Sequence, residues 1–233
     1  MITLQDFSAQ TYCASNGFSL PYRLRVPKGN GPFPLLLCMH GAGERGTDNQ
    51  LQVGHFLPIF NHPSSPALHA ITVMPQCPND MRWVEYGWDK GSYQSENAPL
   101  SPAFIAVEEL LKELLATLPI DPKQIYVTGL SMGGFATWRL LAEHPDLFAA
   151  GIPICGGGPL DKADVLAGLP IRTFHCADDN IVPPMASRAI VDAIQKIENH
   201  QTLYTEFPQG GHGAWTPVYA NTNNIQWLFN QTK

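Results

Sequence analysis

Positive charge is scarce in this chain. Its 14 Lys and Arg are outnumbered by 20 Asp and Glu, which leaves a formal net charge of -6, and the cations form no cluster. Nucleic-acid binding, which needs a basic patch to meet phosphates, is therefore disfavoured. Cysteine is sparse and unpaired in pattern. Positions 13, 38, 77, 155 and 176 make an odd count with no CxxC spacing, which argues against both a disulfide framework and a zinc site. Cys38, Cys155 and Cys176 lie in apolar strand-like runs, where cysteine usually acts as a small buried hydrophobe. No run approaches the ~18 apolar residues of a membrane span. Met1-Ile2-Thr3-Leu4-Gln5-Asp6 has neither the basic nor the apolar region of a secretory signal. The expectation is a cytoplasmic protein, or one whose leader has been removed. Internal repeats and low-complexity segments are also missing.

What is present suits one α/β domain over residues 1–233. The chain is 44% hydrophobic, enough for a substantial core, and two domains would be cramped. With 21 Pro and 20 Gly, turns are many and long helices few. Residues 2–12 and 18–26 read as an antiparallel hairpin about the turn signal Ser15-Asn16-Gly17. Phe33 to Met39 is a continuous apolar run, the pattern of a central strand buried on both faces. A helix is expected near 50–60 and a buried strand at 71–74. Ser101-Pro102 is a helix start, a cap followed by proline at the first position. Leucines and other apolar residues at helical spacing follow to Leu118. Further strands are expected at 125–127, 148–155, 171–176 and 203–207, with helices at 132–144, 186–197 and 223–230. Strand–helix alternation from residue 33 onward implies right-handed crossovers and about eight strands in a mostly parallel sheet with helices on both faces. Ligands of such sheets bind beyond the carboxyl ends of the strands. That directs attention to the loops at 40–46, 76–100, 129–133, 156–160, 177–183 and 208–215.

One of those loops carries Gly129-Leu130-Ser131-Met132-Gly133. It lies between a strand end and a helix start. Small residues flank the serine because a turn this sharp crowds its neighbours, and the free N–H groups of the helix start can hold a negative oxygen. Three small residues in five recur by chance, so the motif gains weight only from its context. A serine hydroxyl is a weak nucleophile that needs a base, and the base needs an orienting group. His212, in Gly210-Gly211-His212-Gly213, follows the last strand. Asp178-Asp179 follows the strand before it, and one of these two aspartates is read as a cap for the next helix. The order Ser131, Asp179, His212 is the order of an α/β-hydrolase triad. The oxyanion hole is expected from the backbone N–H groups of Met132 and Ala42. His40, at the end of a buried strand, is read as structural.

Two other features compete for a role. His55, His62 and His69 recur every seven residues. Pro63 and Pro66 interrupt any helix there, so a metal site is disfavoured. Residues 76–100 form a long connection with little periodicity, and such segments are more often functional than accidental. Trp83, Trp88 and Tyr93 in it are either core or a substrate wall. Trp215, three residues beyond His212, joins them as a candidate substrate contact. Aromatic faces stack on sugar rings and phenolic acyl groups.

His40-Gly41-Ala42-Gly43-Glu44-Arg45-Gly46, Gly129-Leu130-Ser131-Met132-Gly133-Gly134, His175…Asp179…Val182-Pro183 and His212-Gly213-Ala214-Trp215 together resemble the α/β-hydrolase superfamily. Within it they resemble the small serine esterases of the phospholipase/carboxylesterase, dienelactone-hydrolase-like and "predicted peptidase" group. The resemblance covers nearly the whole chain from about residue 19. It places the acid at the fifth position from His175, which is Asp179. Dienelactone hydrolases proper carry a cysteine nucleophile; here that position is Ser131, which argues against that activity. The resemblance implies two-step acyl transfer on a small-molecule ester, with no metal and no organic cofactor. Only about fifteen residues, 156–170, stand where many lipases insert a lid, so an open, lidless site for short-acyl, aryl or sugar esters is expected. An imidazole base must be neutral, so activity is expected to fall below roughly pH 6.5. A small-peptide serine peptidase, and a non-catalytic binding protein on the same fold, remain as alternatives.

Overall fold

The computed structural model describes residues 2–233. The elements in chain order are β1 (Ser8–Cys13), β2 (Ser19–Arg25), β3 (Phe33–Met39), β4 (Ile71–Pro75), α1 (Pro102–Thr117), β5 (Ile120–Leu130), α2 (Met132–Glu143), β6 (Ala150–Ile154), α3 (Ala163–Ala167), β7 (Ile171–Cys176), α4 (Met185–Gln195), β8 (Thr202–Phe207), α5 (Trp215–Ala220) and α6 (Thr222–Phe229). The strands form one eight-stranded sheet in the order β1-β2-β4-β3-β5-β6-β7-β8. β2 pairs antiparallel with both β1 and β4, and every later pairing is parallel.

The central strands read as unbroken apolar runs because both their faces are covered. Successive side chains of β3 alternate between two cores. Leu35, Leu37 and Met39 join α1 and Trp138 on one face. Leu36 and Cys38 join Phe56, Tyr219 and Leu228 on the other. β5 alternates in the same way, with Ile125 and Val127 on the first face and Tyr126 on the second. α1 begins where its cap demands: the Ser101 hydroxyl accepts the Phe104 N–H at 3.1 Å and Pro102 opens the helix. Its buried stripe includes Phe104, Val107, Leu110, Leu111 and Leu114, each contributing about 1.5–3 kcal/mol of burial. Truncating Leu110, fully buried, would cost about 2–5 kcal/mol.

Several elements differ from the sequence reading, among them the short α3, which no apolar spacing announces. The expected strand at 2–12 starts later, because Leu4–Asp6 form a 3-10 turn in which Asp6 accepts the Thr3 N–H at 2.8 Å. The segment Leu51–Phe60 is 3-10 rather than α, with Pro58 inside it. β5 runs back to Ile120 through the polar stretch around Pro122, by way of a register shift between Phe33 and Leu35 on β3. α5 follows directly on the His212 loop and carries no apolar periodicity that would announce it.

Candidate active site

Ser131 occupies the gap between β5 and α2 and holds φ 54°, ψ −121°. A non-glycine residue pays about 1–3 kcal/mol for such a backbone, and the surroundings over-determine it. A Cβ on Gly129 would lie 2.3 Å from the Gly133 carbonyl oxygen, and one on Gly133 would lie 1.8 Å from that of Met39. Without those atoms, the start of α2 presses against the end of β3. The Ser131 N–H is tied to the Ile154 carbonyl at 2.9 Å, which anchors the turn to β6.

Three loops at the carboxyl ends of β5, β7 and β8 then bring Ser131, Asp179 and His212 together. His212 Nε2 lies 2.9 Å from Ser131 Oγ, and its Nδ1 lies 2.6 Å from Asp179 Oδ2. A carboxylate only accepts, so the ring proton sits on Nδ1 and Nε2 is free to accept the serine proton. Ser131 and Asp179 are buried, and His212 is half-buried. Asp179 is held by four donors. Its Oδ1 accepts the N–H groups of Ile181 and Val182 at 2.9 and 3.0 Å. Its Oδ2 faces His175 Nε2 at 3.3 Å besides His212. Burial alone would raise the Asp179 pKa, but hydrogen bonds from His175, His212 and the two amides outweigh it and hold the carboxyl well below its ordinary range.

Asp178 has a separate task, holding the loop that carries His212. It is exposed and accepts the N–H groups of Gly210 and Gly211 at 3.2 and 2.8 Å. The helix cap expected of one member of the pair gives way here to a contact across 32 or more residues, for which the sequence carries no local signal.

Ala42 is the first residue of a 3-10 turn, Ala42–Glu44, and Met132 is the first residue of α2. Neither N–H has an acceptor within its own helix. The two segments are in contact: a Cβ on Gly41 would lie 2.8 Å from the Leu130 side chain. His40 is fully buried. Its Nε2 accepts the Cys77 N–H at 2.9 Å and its Nδ1 faces the Gly41 carbonyl at 2.6 Å, so the proton sits on Nδ1. Burial lowers its pKa to about 4, and the ring is neutral at physiological pH.

A cavity of about 330 Å³ opens beside Ser131 and His212, walled by Trp88, Ile181, Trp215 and the 41–44 loop. Trp215 stands edge-on to His212 with ring centres 5.1 Å apart. Arg82 lies over the Trp88 ring at 4.3 Å. The other two aromatic candidates are not walls. Trp83 is fully buried and donates its indole N–H to the His40 carbonyl at 3.1 Å. Tyr93 is 2% exposed and stacks on Phe135. Both are core residues that brace the site from beneath. A larger open depression of about 640 Å³, lined by Arg82, Glu85, Asp89 and Lys90 among others, holds neither Ser131 nor His212.

Of the three evenly spaced histidines, His55 pairs with Glu44 and His62 bonds Ser64. Cys155, His175 and Asp179 place one metal-binding atom each within 4.8 Å of one another. His175 and Asp179 are already committed to Ser187, Val182 and His212, so this donor set serves the Asp179 network. Among the described residues no helix is long and apolar enough to cross a membrane.

Residues 26–223 match the phospholipase/carboxylesterase family. Among solved structures, a thermostable esterase superposes with a TM-score of 0.88 at 38% identity, over 99% of this chain and 64% of that one. The proposed esterase NocK of Nocardia uniformis subsp. tsuyamanensis is 28% identical over 168 residues, 70% of this chain and 45% of NocK. Poly(3-hydroxyalkanoate) depolymerase C of Paucimonas lemoignei is 42% identical over 53 residues, 23% of this chain and 13% of the depolymerase. The chain thus spans less than half the length of either curated relative.

Proposed function

The chain belongs to the phospholipase/carboxylesterase family, a group of α/β-hydrolases, and from that premise we propose that it hydrolyses carboxylic esters through an acyl-enzyme on Ser131. The observation that carries this reading is the unbroken hydrogen-bond line from Ser131 Oγ through His212 to Asp179, at 2.9 and 2.6 Å.

In this mechanism Ser131 Oγ attacks the ester carbonyl as its proton passes to His212 Nε2. The imidazolium that forms is stabilised by Asp179, which stays ionised. The Ala42 and Met132 N–H groups receive the oxyanion. Preorganised donors of this kind are worth about 10²–10³ each in kcat. His212 returns its proton to the departing alkoxide and then activates the water that frees the acid. The cavity of about 330 Å³ and its walls Trp88 and Trp215 support short-acyl or aryl acids, or esters of sugars. The segment between β6 and β7 holds a 3-10 turn, Leu160–Lys162, and the five-residue α3, too little chain for a lid domain, which supports a site without a lid.

The test is labelling with a fluorophosphonate. One label per chain is expected, and none in Ser131→Ala. Turnover of p-nitrophenyl esters against matching anilides then separates an esterase from a peptidase. Absence of labelling in the wild type would overturn the reading.

A further inference from the structure

The oxyanion loop contains a carboxylate, which is an unexpected neighbour for a place where negative charge develops. Glu44 closes the turn that begins at Ala42 and lines the same cavity as Ser131. Its Oε2 accepts the Gly41 N–H at 2.9 Å, and its Oε1 faces His55 Nε2 at 3.2 Å. The carbonyls around it are held too. The Gly41 carbonyl faces the His40 Nδ1–H at 2.6 Å, and the Ala42 carbonyl accepts Arg45 Nε–H at 2.9 Å. Arg45 is itself moored to the Met81 carbonyl at 3.3 Å.

We propose that Glu44 is a positioning residue for the oxyanion hole, clamping the Gly41 amide so that the Ala42 N–H is aimed into the cavity beside Ser131. The inference rests on the reading of Ser131 as nucleophile. A trans peptide points its C=O and its N–H in opposite directions. With the Gly41 carbonyl drawn to His40 on one side, the Ala42 N–H of that peptide faces the other. Rotation of this peptide would pull the Gly41 carbonyl off the His40 Nδ1–H, and the two flanking peptides, one held through the Gly41 N–H by Glu44 and the other through the Ala42 carbonyl by Arg45, fix the ends about which it would turn. Glu44 therefore closes the third side of a frame whose other sides are His40 and Arg45.

His55 favours the ionised form of Glu44. Burial alone would raise its pKa, but the hydrogen bond and charge of His55 outweigh that and lower it, and Glu44 in turn raises the pKa of His55. His55 also meets the Trp215 ring edge-on, with ring centres 5.5 Å apart. The clamp thus joins the oxyanion loop to the wall beside His212. Gln in place of Glu would keep an oxygen for the Gly41 N–H without the charge.

The experiment compares wild type, Glu44→Ala, Glu44→Gln and Glu44→Asp with p-nitrophenyl acetate, with phenylboronic acid as a tetrahedral mimic, and by amide exchange at Gly41. In Glu44→Ala, kcat is expected to fall about 10- to 100-fold with KM changed less than about twofold, the pattern of an interaction made only in the transition state. Affinity for the boronate falls by a matching factor, and fluorophosphonate still labels every chain, only more slowly. Glu44→Gln retains most of kcat. Glu44→Asp, which withdraws the carboxylate from Gly41, falls between the two and decides the matter if the alanine variant does not fold. A kcat held within about twofold of wild type, or a loss that boronate affinity does not follow, overturns the proposal. If the wild type turns over no ester, the esterase reading fails. The clamp is then judged alone by exchange: faster exchange of the Gly41 N–H in Glu44→Ala supports it and unchanged exchange overturns it.

Discussion

The Asp178 carboxylate accepts the Gly211 N–H at 2.8 Å, one residue before His212, while its neighbour Asp179 holds the His212 ring itself. Adjacent aspartates thus grip the backbone and the side chain of one loop. Removing the backbone grip in Asp178→Ala should lower kcat/KM about tenfold, since small misplacements of a reacting group are costly. Steady-state kinetics beside a thermal melt checks this; a fall in melting temperature with full activity would assign Asp178 to stability alone.

The strained backbone at Ser131 predicts a trade-off. Glycine adopts φ 54° without the penalty a side chain incurs. Ser131→Gly should therefore raise the unfolding free energy by roughly 1 kcal/mol, strain relief exceeding the entropic cost of glycine, while ester turnover disappears. Urea denaturation of both proteins measures it, and a less stable variant would show that the turn is unstrained.

His40 makes stability depend on pH. Its folded pKa is about 4 against the ordinary 6.5, so the unfolded chain takes up a proton first as pH falls. Its contribution is complete above about pH 6.5 and is lost between there and about pH 4, to the extent of about 3 kcal/mol. The stability gap between wild type and His40→Gln should narrow by about that amount between pH 7 and pH 4. An equal gap at both pH values would contradict the buried neutral ring.

The two tryptophans of one loop should separate in their phenotypes. Trp83→Ala empties a fully buried site and should cost about 3–5 kcal/mol of stability. Trp88→Ala, on the cavity wall, should leave the melting temperature nearly unchanged and raise KM for aryl esters. Melts and kinetics on both variants check the division; equal stability losses would place Trp88 in the core as well.

Where apolar residues obey a short-range pattern, the fold is legible in the sequence. β3 is bounded at Phe33 and Met39 as the apolar run predicts, because a strand covered on both faces leaves no polar position within it. α1 starts at Pro102 because Ser-Pro sets its cap and first turn locally. Where residues lack periodicity, as in α5 or in the polar start of β5, nothing local announces the element.

The same division holds at the candidate site. Sequence alone determined that Ser131 sits in a tight strand–helix turn and that an aspartate and a histidine follow at later strand ends, since small-residue requirements and element order are written along the chain. Tertiary structure alone decided that Asp178 holds the Gly210 and Gly211 amides, that Trp83 and Tyr93 turn inward while Trp88 and Trp215 face the cavity, and that Glu44 meets His55. Those choices depend on which way a loop folds over the sheet and on contacts between distant segments. The residue types involved would have suited either outcome, so only packing could select one.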